Sequence, residues 1–288
     1  MNSSYIGIKS TRKRGGFNDV ITNICDYYGF EIINNSELFP NSYSKFDDTV
    51  PILCDMTTSS PTHDFIKYRR RNNLDYYHID HAYFWRGYAQ DTGNKNPFNC
   101  EWFRVSKNCH VQNHIPDSPL AVDSSRWKKY FYDHFNGYGK EYKRTGSKIL
   151  VCPPSEHVLS LYDQKDWRTK TLQTLREHTD REIVIRDKPN INSNVSSSTR
   201  TTLEEDLKDC WALVTHSSCA AITAHLEGIP TFTDENSPTS QVSLLDLRLI
   251  ERPFYPPDPF KMQWLNTLAF SQYSMVEFSD GTFALENV

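Results

Sequence analysis

Between Trp211 and Thr233 the chain reads WALVTHSSCAAITAHLEGIPTFT, and this stretch narrows the possible folds more than any other. Apolar Ala212–Val214 reads as a strand, Thr215-His216-Ser217-Ser218 as a polar turn, and Cys219–Glu227 as a helix. Gly228-Ile229-Pro230 then leads into a second strand, Thr231–Thr233. Strand, turn, helix, strand is a βαβ unit, which calls for a parallel sheet and a right-handed crossover. The small run Cys219-Ala220-Ala221 lets the helix lie close on that sheet. The first N–H groups of a helix lack internal partners, and the macrodipole puts partial positive charge there. The turn His216-Ser217-Ser218 is therefore a place to hold an anion. An ordinary strand–loop–helix, with Ser217 or Ser218 as a simple N-cap, fits the same residues, and the residues alone leave both open.

The alternation extends along the chain. Tyr5–Ile8 and Phe30–Ile33 are expected strands around a helix over Phe17–Tyr28 that ends at Gly29, the residue type favoured past a helix C-terminus. Val50–Cys54, Asp75–Ile79 and Trp102–Val105 read as further strands, with Thr62–Arg71 helical and 123–138 helical up to Gly137 and Gly139. Lys140 to Ser147 is charged and apolar-poor, as an interdomain linker would be. Beyond it, Ile149–Cys152 ends in Pro153-Pro154-Ser155, and Ile183–Ile185 ends in Arg186-Asp187-Lys188-Pro189. Gln164–His178 reads as a helix. Thr202 with Glu205 three residues later reads as a capping box, and Met262–Gln272 as a last helix. The expected fold class is α/β: two Rossmann-like domains facing a cleft, residues 1–144 and 145–288. Ligands of such sheets bind at the carboxyl ends of the strands.

Composition removes several classes. At 288 residues with 13% aromatics, the chain has the material for packed cores, which argues against disorder. It has no run of 18 apolar residues and no signal-peptide core in MNSSYIGIKSTRKR, so a soluble cytoplasmic protein with no membrane partner is expected. The seven cysteines form no C-x-x-C pair, so neither zinc nor a disulfide framework is prompted. No metal site is expected. His110 and His114, four apart, do not lie in a helical pattern.

Charge divides unevenly. Residues 1–147 carry net +3 and residues 148–288 net −7, within a total of −4. The basic clusters of the first half, including Arg12-Lys13-Arg14 and Lys67 to Arg71, interleave with aromatics. That suits a phosphate backbone, where cations give affinity and rings stack on bases. Arg12, Lys13, Arg14, Arg69 and Arg70 are the candidate nucleic-acid contacts, with Tyr83, Arg86 and Arg104 on the acceptor side. A solvated charged face accounts for such runs equally well.

The pattern SS-x-A-x-x-x-x-x-x-x-G-x-P between two apolar strands resembles the donor-binding segment of GT-B glycosyltransferases, in particular those encoded by bacteriophages. Pro153-Pro154-Ser155, Arg186-x-Lys188-Pro189, Ser217-Ser218 and the Trp264 to Gln272 segment occur in the same order, across Lys148 to Gly281. The resemblance implies transfer of a sugar from a nucleotide-diphosphate sugar, a UDP-sugar for example, without a metal or other cofactor. Ser155, Arg186, Lys188, His216, Ser217, Ser218, Thr223 and Glu227 are then the donor-binding set. Many GT-B enzymes place a ribose-binding Glu five residues before the G-x-P glycine, and here Thr223 stands there. An inverting transfer also needs a base for the acceptor hydroxyl: Asp80, flanked by His78 and His81, is the candidate, with His81 as substitute. Capping of the next segment, or a pairing of Asp80 with Arg86, is the competing structural role. Phage likeness and basic clusters together imply DNA as partner, with a 5-hydroxymethylated pyrimidine as acceptor, flipped from its duplex. The location would then be the cytoplasm of an infected host. A surface polysaccharide or lipid-linked glycan as acceptor, or a non-catalytic nucleotide- or nucleic-acid-binding module, remain the alternatives.

Overall fold

The computed structural model describes residues 4–12, 16–84, 102–111, 123–187 and 201–285. The chain divides into two compact units, Met1–Gln112 with Phe270–Val288, and Asn113–Ala269. The expected division was a single one after residue 144.

The first unit is built on β1 (Ser4–Lys9), α1 (Phe17–Tyr28), β2 (Glu31–Asn34), β3 (Thr49–Leu53), α2 (Pro61–Arg71), β4 (Tyr77–His81) and β5 (Trp102–Lys107). The helix over Phe17–Tyr28 begins and ends where its apolar spacing placed it. Val20, Ile21, Ile24 and Cys25 turn one face onto the sheet. Gly7 permits that approach: a Cβ there would stand 2.4 Å from Cys25 Sγ. Parallel pairing runs β2–β1–β3–β4, the order expected of repeated right-handed crossovers. β5 then pairs antiparallel with β4. A late strand, β10 (Gln272–Ser274), pairs antiparallel with β5. Tyr273, Phe278 and Phe283 fill the same core as α1. That burial explains why the chain's end belongs to the first unit.

The second unit is the cleaner alternation. It contains α3 (Ser125–Tyr130), β6 (Lys148–Val151), α4 (Glu156–Leu161), α5 (Trp167–His178), β7 (Glu182–Ile185), α6 (Leu203–Asp206), β8 (Cys210–Val214), α7 (Ala220–Leu226), β9 (Thr231–Phe232) and most of α8 (Asp258–Phe270). All four strands are parallel, in the order β7-β6-β8-β9. Leu207, Ala221, Ala224 and Ile229 cover one face, and Leu175, Ile250 and Phe232 belong to a second core. The expected capping box is formed: Glu205 N–H donates to Thr202 Oγ1 (3.1 Å) and Thr202 N–H to Glu205 Oε2 (2.7 Å).

Residues 140–144 do not behave as a linker. Lys140 N–H donates to Leu226 O (2.7 Å) and Lys143 N–H to Gly228 O (2.8 Å). Gly228 has φ +74, and a Cβ there would meet Glu141 O at 2.0 Å. The G-x-P glycine is thus a packing requirement of this segment. Beside it, Tyr142 Oη lies 2.6 Å from Nδ1 of fully buried His225, whose Nε2 is 2.8 Å from Thr231 Oγ1. Trp264 of the W-L-x-x-L-A segment is buried and donates to Pro238 O (2.7 Å).

Candidate functional site

The second sheet puts three of the motif-bearing strand ends side by side, β7, β6 and β8. The order of β6 to β9 reverses between β6 and β8, the switch point at which open parallel sheets bind ligands. The two turns there are tied together: Cys152 N–H donates to Val214 O (2.8 Å), and Thr215 Oγ1 donates to Cys152 O (2.6 Å). Pro153-Pro154-Ser155 and His216-Ser217-Ser218 therefore leave neighbouring strands at one edge. Ser155 is the N-cap residue of α4, with no side-chain cap bond.

Within the second turn the side chains differ in availability. His216 is fully buried, with Nδ1 3.0 Å from Ser217 Oγ and its ring against Tyr162. Burial pushes its pKa down, against the pull of nearby Asp234. A neutral interior imidazole positions Ser217; it is not a cationic anion contact. Ser217 is itself buried, whereas Ser218 is half-buried and accepts from Ala220 N–H at 3.3 Å. Ser218 therefore meets the first N–H of α7, ahead of the N-cap residue Cys219, while its side chain is only half-buried.

Two of the remaining donor candidates, Arg186 and Glu227, are engaged elsewhere. Arg186 is ion-paired with Asp206 and donates to Thr201 O (3.1 Å), so its guanidinium does not converge on the serines. Asp206 lies twenty residues along the chain, and the adjacent Asp187 pairs with Arg168 instead. Lys188 lies outside the described residues. Glu227 pairs with Lys140 at 2.5 Å. Thr223 is half-buried on α7.

Next to the turn, at the ends of β8 and β9, lies a cavity of about 250 Å³ lined by Trp167, Thr215, Thr233, Asp234 and Glu235 among others. None of Trp167, Thr233, Asp234 or Glu235 was a candidate from the sequence. The usable signal was positional: TFTDEN continues past a strand's carboxyl end.

In the first unit, Asp80 Oδ2 accepts from Arg104 Nη2 (2.5 Å) and Oδ1 from His81 N–H (2.7 Å). Burial alone would raise its pKa, but the Arg104 guanidinium and the neighbouring histidines outweigh it and hold the carboxyl well below the usual range. A carboxylate held this way accepts a proton poorly at neutral pH. Its partner is Arg104, which pairing across β4 and β5 brings directly opposite; Arg86 lies outside the described residues. Arg104 also donates to His81 O (2.8 Å) and His110 O (3.2 Å), and lies 5.0 Å from the centre of the Tyr83 ring. Both Arg104 and Tyr83 are buried, which removes them from an acceptor-facing surface. Tyr83 N–H and Phe84 N–H are held by Gln272 Oε1 (2.8 and 3.0 Å), which assigns a structural task to the glutamine of the late motif. His81 is half-buried, its ring edge-on to Phe17. His78 is buried, and desolvation lowers its pKa to about 4.

Arg69 is likewise no phosphate contact. It is 1% exposed and donates to Phe46 O, Thr49 O and Asp75 O at 2.6–2.7 Å. Arg70 is half-buried, 3.5 Å from Asn108 O. Arg12 is exposed and donates to Thr57 Oγ1 (2.9 Å) and Ser59 Oγ (2.8 Å); Lys13 and Arg14 lie outside the described residues. Buried Asp55, missed in the sequence, sits beside this group just past β3. It has φ +71, accepting from Ser10 Oγ (3.1 Å) and Thr57 Oγ1 (2.8 Å).

No protein-family model and no curated protein matches the sequence. Among solved structures, the β-Kdo 2,7 transferase of Thermosulfurimonas dismutans KpsC superposes with a TM-score of 0.51 at 10% identity, over 97% of this chain and 100% of that one. The chain has a GT-B-like fold. The β-Kdo 2,4 transferase of the same KpsC gives a TM-score of 0.49 at 12% identity, over 95% of this chain and 93% of that one. The GT-B-like assignment fits two runs of four parallel strands, β2-β1-β3-β4 and β7-β6-β8-β9, with the same local order in one chain. No helix of the described residues is long and apolar enough to cross a membrane.

Proposed function

We propose that the protein is a glycosyltransferase that moves a sugar from a nucleotide sugar to an acceptor hydroxyl. The observation that carries this reading is the pair of turns tied at the β6/β8 switch point, in a chain whose fold is GT-B-like. Ser218 and the backbone N–H groups around it receive the phosphate of the donor, and Ser217, held by His216, supports the turn. As the glycosidic C–O bond breaks, negative charge grows on the leaving phosphate, and fixed donors aimed at it lower the barrier. The acceptor oxygen forms the new bond and its proton passes to a base. His81 is the better candidate for that base, since Asp80 is committed to Arg104. A retaining transfer would need no dedicated base.

The acceptor is proposed to be a glycan hydroxyl. The named activity of the superposing KpsC protein, Kdo transfer, favours this class over a DNA base. Burial of Arg69, Arg104 and Tyr83 removes three of the contacts on which a hydroxymethylpyrimidine acceptor rested, leaving Arg12 and Arg70 among those described. Metal independence belongs to the same proposal.

A thermal-shift screen against UDP, GDP, ADP, CMP and their common sugars, with and without divalent metal, tests the reading. A ligand bound only by the folded state adds about 2.7 kcal/mol at 100 times its dissociation constant. One nucleotide is expected to shift the midpoint selectively, and Ser218→Ala to reduce that shift. Glycan and hydroxymethylated DNA acceptors are then compared by sugar transfer. Failure of every nucleotide to bind well-folded protein would remove the transferase reading and favour a binding module.

A further inference from the structure

His216 is the group in the serine turn whose hydrogen bonding is incomplete. It is fully buried, and its Nε2 has no hydrogen-bond partner. A polar nitrogen walled off from water and left unmatched is costly and calls for a reason. Asp234 supplies one. Its Oδ1 stands 3.8 Å from that Nε2, beyond hydrogen-bond reach but close enough for a charge pair, and its N–H donates to His216 O at 2.9 Å. On the other side of the ring, Nδ1 lies 3.0 Å from Ser217 Oγ. Asp234, His216 and Ser217 thus form a line that starts just past β9 and ends in the turn.

The charge around the ring is one-sided. Burial lowers the His216 pKa, and among the described residues Asp234 is the charged group that pulls it back up. The rings of Tyr162 and Trp167, 5.3 and 6.4 Å away, close two further sides with aromatic surface. Asp234 itself is held by neutral donors: Asn236 N–H (3.0 Å), Asn236 Nδ2 (2.8 Å) and Gln164 Nε2 (3.4 Å). The two protonation states of the ring give Ser217 different roles. In the neutral ring the carboxylate favours the proton on Nε2, and Nδ1 accepts the Ser217 hydroxyl proton. Ser217 then turns lone pairs toward the turn, which an anion disfavours. In the imidazolium both nitrogens donate, Nε2–H toward Asp234 and Nδ1–H to Ser217 Oγ. The Ser217 hydroxyl proton is released toward the turn, with a positive charge behind it. Ser217 is 5% exposed, so an anion feels a reversed hydroxyl dipole and an added charge without touching either residue.

We propose that Asp234, His216 and Ser217 form a proton-linked switch beneath the serine turn: an anion held there draws a proton onto His216, and Asp234 is the counter-charge that makes the imidazolium tolerable in the interior. The switch rests on the reading of this turn as the donor phosphate site, and His216 is a positioning residue that acts through Ser217. The sign follows from linkage. A nearby anion raises the His216 pKa above its value in the free protein, so binding takes up a proton between the two values. Affinity is greatest below the lower value, falls as pH rises through that window, and levels off above the higher one. Each pKa unit between them is a tenfold difference in affinity.

Isothermal titration of the full chain at several pH values from 6 to 8, each in two buffers of different ionisation enthalpy, counts the protons taken up on binding. The probes are UDP-, GDP-, ADP- and CMP-linked sugars, whose esterified phosphates do not titrate in that range. Uptake of up to one proton is expected, with affinity falling about tenfold from the acid to the alkaline end. His216→Gln, which keeps an amide for Ser217, and Asp234→Asn should each abolish the uptake and flatten the pH profile. No uptake by the wild type, or uptake that survives either substitution, overturns the proposal. If the variants do not fold, NMR of the wild type labelled with ¹⁵N-histidine decides. The switch requires the Nε2–H tautomer of His216 in the free protein and a titration that moves to higher pH when the nucleotide sugar or inorganic sulfate is added. An Nδ1–H tautomer, or an unmoved titration, overturns it. If no nucleotide binds well-folded protein, the transferase reading fails on its own, and the sulfate titration still sustains or overturns the switch.

Discussion

Replacing Asp80 by Asn separates two roles that the sequence could not. In the structure Asp80 anchors Arg104, whose guanidinium is buried and spans His81 O and His110 O. Removing one partner of a fully buried ion pair costs roughly 3–5 kcal/mol, because the other charge is left uncompensated. The Asp80 side chain is 30% exposed, and Asn keeps one acceptor oxygen for Arg104, so the loss should be smaller, about 2 kcal/mol. For the unit that holds β4, that corresponds to a fall in melting midpoint of roughly 4–8 °C.

The pH dependence adds a second signature. Arg104 depresses the folded-state pKa of Asp80 below that of the unfolded chain, so the stabilisation is fully present above the unfolded value, about 3.9. It is lost as pH falls through the folded value. The stability gap between wild type and Asp80→Asn should therefore be constant from pH 8 to pH 5 and close below pH 4. Urea melts across that range, followed by Trp fluorescence and far-UV circular dichroism, measure it. If Asp80 were the catalytic base, Asn would instead cut turnover about 10²- to 10⁴-fold with little change in stability. An unchanged melt together with that loss of turnover would refute the strut and restore the base.

Three further outcomes follow from packing. Gly228→Ala forces a left-handed non-glycine residue and drives Cβ into Glu141 O, so it should lower stability by about 2–4 kcal/mol in thermal melts without touching the first unit. Arg69→Met leaves three backbone carbonyls without their donor and should cost about 3 kcal/mol, while leaving any low-salt DNA shift on a gel unchanged after correction for folded fraction. His225 is held neutral by burial, with its pKa lowered to about 3, whereas the unfolded imidazole titrates near 6.5. Stability is then full above pH 6.5 and declines by a few kcal/mol as pH falls toward 3, and His225→Gln should flatten that slope in melts taken between pH 7.5 and 4.

Local signals in the sequence carried most of the architecture. The 3.6-residue spacing of Phe17, Val20, Ile21 and Ile24, closed by Gly29, defines α1, and Thr202 with Glu205 marks the start of α6. Apolar runs placed nearly every strand within two residues. What escaped depends on contacts between distant parts of the chain. β5 has no composition that separates an antiparallel strand from a parallel one, and β10 is three residues long. Their pairing moved the C-terminal residues into the first unit. The binding of residues 140–144 to the end of α7 and to Gly228 shifted the boundary from the other side, since a polar extended segment reads as a linker until its backbone partners are known. The strand-end rule placed the Ser155 and Ser217 turns at strand ends, and the structure has those ends side by side. Charge alone misplaced Arg69, Arg104 and Arg186. Each reads as a basic residue in a polar run, and each is bound by groups 6 to 24 residues away.

The two sheets share one feature that bears on where chemistry can occur. β1 to β4 and β6 to β9 follow the same spatial order, so each unit has its own switch point, at β1/β3 and at β6/β8. Strand carboxyl ends at such a point leave room for a ligand because neighbouring crossovers lie on opposite faces. At the second switch point the chain places uncharged turns, consistent with a phosphate ligand, and the acidic cavity lies beside them at the ends of β8 and β9. At the first it places Asp55 in a left-handed backbone conformation that costs a non-glycine residue about 1–2 kcal/mol. Ser10, Thr57 and, through Thr57, Arg12 hold it there. Asp80 lies one strand further along, past the switch point, with its charge neutralised by Arg104. The strand-end rule that found the serine turns therefore favours the Asp55 cluster as the polar centre of the first unit. The histidine-flanked Asp80 drew attention by its neighbours in sequence, but sheet order, which sets where a ligand can approach, points to β1 and β3.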